Sequence, residues 1–131
     1  HPNSIDSLKR PLHTIIPGMV FNKEGEAIIS YGVMGGQFQP VGHTHFLNNI
    51  IDYSMTVQEA IDFPRGFHFN NQYQLELGVD NDVEKKLNSV GHKTVRTKSP
   101  HGGGQAIKID YKKGVLIGGS DPRKDGCALG L

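Results

Sequence analysis

The sequence predicts an α+β domain in which helices pack on a mainly antiparallel sheet. Three observations carry that expectation. The 131 residues amount to one domain's worth of chain. Hydrophobic residues make up 36%, enough for a real core, and the 17 glycines run at roughly twice their usual share of about 7%, which predicts tight turns or close backbone approaches. The hydrophobic periods also fall in blocks, a strand pair, helices, strands, a helix and strands, and not in the regular alternation of βαβ units.

Taken in order, the first dozen residues, with Pro2 and Pro11 flanking a polar run, form a lead-in without a strong period. Met19-Val20-Phe21 and Ala27-Ile28-Ile29-Ser30-Tyr31, joined at Asn22-Lys23-Glu24-Gly25, read as a hairpin whose second strand stops at Gly32. A helix follows Pro40, which a first helical turn tolerates. Its apolar stripe is Phe46, Leu47, Ile50 and Ile51, with Val41 and Met55 nearby. A shorter helix over Val57 to Ile61 ends before Pro64, because the residue preceding a proline is pushed out of the helical region. Phe67-His68-Phe69 and Tyr73 to Leu77 alternate as strands do. A third helix spans Asp80 to Ser89, capped by Asp80 or Asn81 and closed near Gly91. Thr94-Val95-Arg96 is a strand. After a loop over Ser99 to Gly104, strands Gln105 to Tyr111 and Val115 to Gly118 form a second hairpin through Lys112-Lys113-Gly114.

Charge excludes more than it suggests. Fourteen Lys and Arg stand against thirteen Asp and Glu, and no basic, aromatic-interleaved stretch marks a nucleic-acid partner. No apolar run is long enough to span a membrane, and the compartment, cytoplasmic or extracytoplasmic, is left open. The seven histidines show no metal-ligand spacing. His43 and His45, two apart on a helix, point about 200° apart and cannot share one ion. No cofactor is expected. Cys127, the lone cysteine, has no intramolecular disulfide partner and reads as a packing residue. Gly102-Gly103-Gly104 lacks the lysine and following helix of a phosphate loop and reads as a flexible turn.

The corner Gly32-Val33-Met34-Gly35-Gly36-Gln37 is more informative. Two glycines just before a helix let backbone N–H groups face a developing oxyanion without side-chain obstruction, as an amide hydrolase requires. A sharp turn alone would explain them equally well. Other segments break that tie: Lys9-Arg10-Pro11-Leu12 with Pro17, Ala60 to Arg65 followed by Phe67-His68, and Ser120-Asp121-Pro122-Arg123 with Gly126. In that order, and with Gly35-Gly36, they resemble the carboxyl-terminal part of the small subunit of the γ-glutamyltranspeptidases and related acylases, which are N-terminal-nucleophile hydrolases. The likeness runs from Lys9 onward.

The resemblance implies an αββα sandwich, of which residues 1–131 are a single incomplete domain completed by a large subunit and by the amino-terminal part of the small subunit. It implies a γ-glutamyl or other acyl amide as substrate, Gly35 and Gly36 as the oxyanion hole, and His13 and Thr14 at the segment of substrate-carboxylate contacts. The family nucleophile is a threonine freed by self-cleavage, whose α-amino group serves as base. This chain starts at His1, and Thr14 and Thr44 are internal, so that threonine is expected upstream and the isolated chain is expected to be inactive and poorly folded. His13-Thr14 also stands where transpeptidases carry a serine pair, and Val33-Met34 where Ser-Pro is usual. Those replacements leave γ-glutamyl transfer and the hydrolysis of another acyl amide both open. The contrasting reading is a binding or structural homologue that lacks the nucleophile.

Overall fold

The computed structural model describes residues 1–130. Residues 1–16 form an exposed lead-in. β1 (Pro17–Phe21) and β2 (Ala27–Met34) pair antiparallel. Their turn is held by Asn22, whose Oδ1 accepts from the Glu24 N–H at 3.1 Å and the Glu26 N–H at 2.8 Å. β2 does not stop at Gly32. It continues because Val33 and Met34 pair with Gly104 and Gly103 at the start of β6 (Gly103–Asp110). Most of the glycine triplet is thus strand and not flexible turn. At Gly102, φ is +62° and a Cβ would collide with the Met34 carbonyl oxygen, so close backbone approach is what requires glycine there. β7 (Val115–Ser120) completes an antiparallel sheet of order β1-β2-β6-β7.

A 3-10 turn over Gly36–Phe38 leads into α1 (Gln39–Ile51), with Pro40 in its first turn. α2 (Val57–Asp62) starts at a capping box: the Thr56 hydroxyl accepts from the Glu59 N–H at 3.3 Å, and the Glu59 carboxylate accepts from the Thr56 N–H at 2.8 Å. The core joins these helices to the sheet through Ile29, Phe46, Val57, Ala60, Ile61 and Ala106. The buried face of α1 differs from its apolar stripe. Val41 and Ile51 are exposed, whereas His43 and Asn49 are buried. The Asn49 amide donates to the Ala60 carbonyl at 3.4 Å and His43 Nδ1 pairs with the Gln39 carbonyl at 2.7 Å, while His43 Nε2 is buried without a hydrogen-bond partner.

A second sheet holds β3 (Gly66–Phe69), β4 (Gln72–Glu76) and β5 (Thr94–Thr97). β3 and β4 are antiparallel, but β4 and β5 are parallel, joined through α3 (Asn81–Ser89). The fold is α+β, yet it has two sheets where one was expected, and it contains one βαβ unit. Parallel strands need a crossover long enough to carry the chain back, and α3 supplies it. Arg96 of β5 fastens that crossover, donating to Glu84 on α3 at 2.7 Å.

The faces of the four-stranded sheet are unequal. Ile29, Tyr31, Val33 and Ala106 point toward the helices, and alternation sends Met19, Met34, Ile107 and Leu116 to the opposite face, where all four are exposed.

Candidate active site

β2 leaves the sheet at Met34, and the next two residues take conformations suited to glycine. Gly35 has φ +132° and Gly36 has φ +58°. A Cβ on Gly35 would also lie 2.9 Å from Gly102 Cα, whereas one on Gly36 would meet nothing within 4 Å. Among the described residues, neither glycine's N–H has a hydrogen-bond acceptor. Both groups stand just ahead of α1, at the end where a helix favours negative charge.

The corner forms one wall of a cleft of about 510 Å³, whose lining includes Thr14, Ile15, Met34, Gly35, Gly36 and Lys124. The Gln39 side-chain amide donates to the Thr14 carbonyl at 2.9 Å and ties the lead-in segment across the helix start. Gln39 therefore acts as a tether. Thr14 and the glycine pair share this cleft. His13 is exposed and does not line it. Thr44 lies elsewhere, on α1, its hydroxyl donating to the Pro40 carbonyl at 3.0 Å.

Behind the cleft, two of the sequence motifs meet in a buried ion cluster. Arg65, 3% exposed, donates to Asp121 at 2.7 Å, to the His101 carbonyl at 2.7 Å and to the Ile61 carbonyl at 2.9 Å. Asp121 is fully buried and also accepts from the Gly104 N–H at 2.7 Å and the Arg123 N–H at 3.0 Å. Arg123 reaches Glu76 with two donors, at 3.0 and 2.7 Å. Glu76 accepts in addition from the Arg65 and His101 N–H groups at 2.9 and 2.8 Å. Two cations face two anions, and the pairs are fully supported by hydrogen bonds.

Burial pushes both carboxyls up. For Glu76 the hydrogen bonds from Arg123, His101 and Arg65 outweigh it, and for Asp121 those from Gly104 and Arg123 together with the Arg65 charge do so, holding both below the ordinary range. Burial pulls His45 and His101 down, and the Arg65 charge adds to the effect on each. His45 packs on Phe63 and His101 on Phe38, with ring centroids 5.9 and 5.5 Å apart. Cys127, expected to pack, is exposed, because it follows Gly126 in the tail beyond the last turn.

Glu76 and Lys124 escaped the sequence reading. Strand alternation assigned Glu76 no special place, and its burial depends on Arg123, 47 residues further on. Lys124 was one of many charged residues, although its position directly after Asp121-Pro122-Arg123 was an available signal.

The sequence and the fold both match known proteins. The chain matches the gamma-glutamyltranspeptidase family along residues 1–131. It is 37% identical to the glutathione hydrolase-like YwrD proenzyme of Bacillus subtilis strain 168, over 100% of this chain and 26% of that protein. The crystal structure of cephalosporin acylase from Bacillus halodurans superposes with a TM-score of 0.83 at 40% identity, covering 97% of this chain and 24% of the other. An acivicin-inhibited gamma-glutamyltranspeptidase gives 0.79 at 30% identity, covering 94% of this chain and 67% of that one. The chain thus spans about a quarter of the length of the first of these relatives. Matching that family along residues 1–131, the chain belongs to the gamma-glutamyltranspeptidase family.

Proposed function

We propose that this chain is the carboxyl-terminal portion of the small, catalytic subunit of an amide hydrolase or acyl transferase, and that Gly35 and Gly36 stabilise its tetrahedral intermediate. The observation that carries the reading is the pair of N–H groups without acceptors at the wall of a cleft, on backbone that favours glycine. As the family resemblance implies, the nucleophile is a threonine freed by self-cleavage on another part of the precursor. Its Oγ, giving its proton to the threonine's own α-amine, attacks the amide carbonyl carbon, and the carbonyl oxygen gains a negative charge that the two N–H groups receive. Collapse of the intermediate expels the amine with a proton from the threonine's ammonium group and leaves an ester. Water or an acceptor amine then releases the acyl group.

The uncovered apolar face of the four-stranded sheet supports a fold completed by other parts of the precursor, since exposed patches of this kind mark interaction surfaces. In an αββα sandwich a second sheet would cover Met19, Met34, Ile107 and Leu116. The substrate is a γ-glutamyl or related acyl amide.

Pre-steady-state hydrolysis of an acyl p-nitroanilide by the complete protein tests this reading. We expect a burst of nitroaniline equal to the enzyme concentration, followed by slower turnover. Turnover without any acyl-enzyme, or no cleavage of either γ-glutamyl or simple acyl anilides, would overturn it.

A further inference from the structure

Gly35 and Gly36 have no side chains to anchor them, so the corner keeps its shape through its neighbours. On one side it hangs from the end of β2, where Met34 pairs with Gly103. On the other it is closed by backbone: the Phe38 N–H donates to the Gly35 carbonyl at 3.1 Å, and the Gln39 N–H donates to the Gly36 carbonyl. The directions of the two corner N–H groups therefore depend on where Phe38 sits.

Phe38 is 3% exposed and does not line the cleft. Its ring occupies a socket made by three glycines. A Cβ on Gly42 of α1 would lie 2.7 Å from Phe38 Cε1, one on Gly102 would lie 2.8 Å from Cδ1, and one on Gly35 would lie 3.3 Å from Cβ. Each is closer than ordinary van der Waals contact, so the ring fits only because those positions lack side chains. The rest of the socket is aromatic and cationic. His101 stacks on the ring with centroids 5.5 Å apart, Phe67 meets it edge-on at 5.4 Å, and the Arg65 guanidinium lies over it at 5.9 Å. Arg65 is fixed by Asp121, and the His101 backbone by Glu76. One ring thus joins the buried ion cluster to the glycine corner.

We propose that Phe38 is a positioning residue for the reaction: seated among Gly35, Gly42 and Gly102 and braced by Arg65 and His101, it sets the direction in which the corner glycines present their N–H groups to the oxyanion. It acts through the backbone and touches no reacting atom. The inference rests on the oxyanion reading proposed above. Donors of this kind act because they are aligned in advance, and a misplacement of about 1 Å at a reacting centre costs up to about 10²-fold in rate.

The test uses the complete protein and the acyl p-nitroanilide, γ-glutamyl or simple, that the parent cleaves. Phe38→Ala empties the socket, and Gly42→Ala drives a methyl group against the ring from α1. Phe38→Met refills the space, and Val57→Ala, in the core between α2 and the sheet, is a control for lost packing away from the corner. All are assayed at a temperature where a thermal melt shows them folded. Phe38→Ala is expected to lower kcat by about ten- to a hundredfold with KM within about twofold of the parent, Gly42→Ala to lower kcat in the same sense by a smaller factor, and Phe38→Met to restore kcat to within a few-fold. Val57→Ala should melt earlier with kcat unchanged. If Phe38→Ala fails to fold, Gly42→Ala decides by the same split between kcat and KM. A kcat in the Phe38 and Gly42 variants no lower than in Val57→Ala, or a loss carried by KM alone, would overturn the inference while an active parent leaves the proposed function standing. A parent that cleaves neither kind of anilide would overturn both.

Discussion

The Gly35-Gly36 corner and the Arg65–Asp121–Arg123–Glu76 cluster both grew from sequence motifs of the same family, and they differ in how their polar groups are satisfied. In the cluster, each charged group has its partners: Asp121 alone accepts from Arg65, Gly104 and Arg123, and it is fully buried. At the corner, two N–H groups line a cleft with no acceptor among the described residues. A saturated network has no capacity left for a ligand and acts on the fold. Unsaturated donors held by a rigid backbone have that capacity. The difference separates residues that hold the fold from residues proposed to meet the substrate, which motif strength alone does not do.

If that contrast holds, the largest stability effect belongs to the cluster. Arg65→Met in the complete protein would leave Asp121 buried without its closest cation, and breaking a buried pair in this way costs about 3–5 kcal/mol. Urea unfolding followed by circular dichroism measures it. A loss below about 1 kcal/mol would mean that Asp121 is adequately held by Gly104 and Arg123 alone.

Acid pH breaks the same cluster more gradually. Because the folded carboxyls of Glu76 and Asp121 titrate below their unfolded values of about 4, the unfolded chain binds more protons as pH falls through that region. Their stabilisation is fully present above about pH 5 and is lost as pH drops through the folded values. His45, with a folded value below about 6.5, is likewise fully stabilising above that pH and loses its contribution as pH falls beneath it. The difference in Tm between the parent and His45→Phe should therefore shift against the parent between pH 7 and pH 5. A difference independent of pH over that interval would contradict the histidine assignment.

The smallest effect is expected at the lead-in segment. Thr14 lines the cleft and His13 does not, so His13-Thr14→Ser-Ser should shift the kcat/KM ratio of γ-glutamyl over simple acyl anilides by roughly two- to tenfold toward the γ-glutamyl compound, the worth of about one hydrogen bond. A strong γ-glutamyl preference already present in the parent would show that other residues hold the substrate carboxylate.

Local chemistry made much of the fold legible. Asn22 at its turn, Pro40 in the first turn of α1, Pro64 after α2 and Asp80 at the cap of α3 each act through neighbouring backbone, and each element was expected close to where it lies. Pairing between distant strands was not legible, because alternation says which face a residue takes and nothing about its partner. Hence β5 lies parallel to β4 in a second sheet, and Gly103 and Gly104 proved to be strand. The glycine corner was visible from its position before a helix. The place of Lys124 at the cleft was not, since it arises only where the turn after Asp121 meets Gly103.

The central claim is that the corner glycines receive the oxyanion, and Gly36→Val tests it most directly. The substitution meets open space but forces a β-branched residue into the left-handed region, which would swing the backbone N–H away from the cleft. Measured in the complete protein on an acyl p-nitroanilide, with a thermal melt to establish that the variant is folded, kcat should fall by about 10² to 10³ while KM changes little. A folded Gly36→Val enzyme with kcat within a few-fold of the parent would contradict the account and leave Gly36 as a residue of the turn alone.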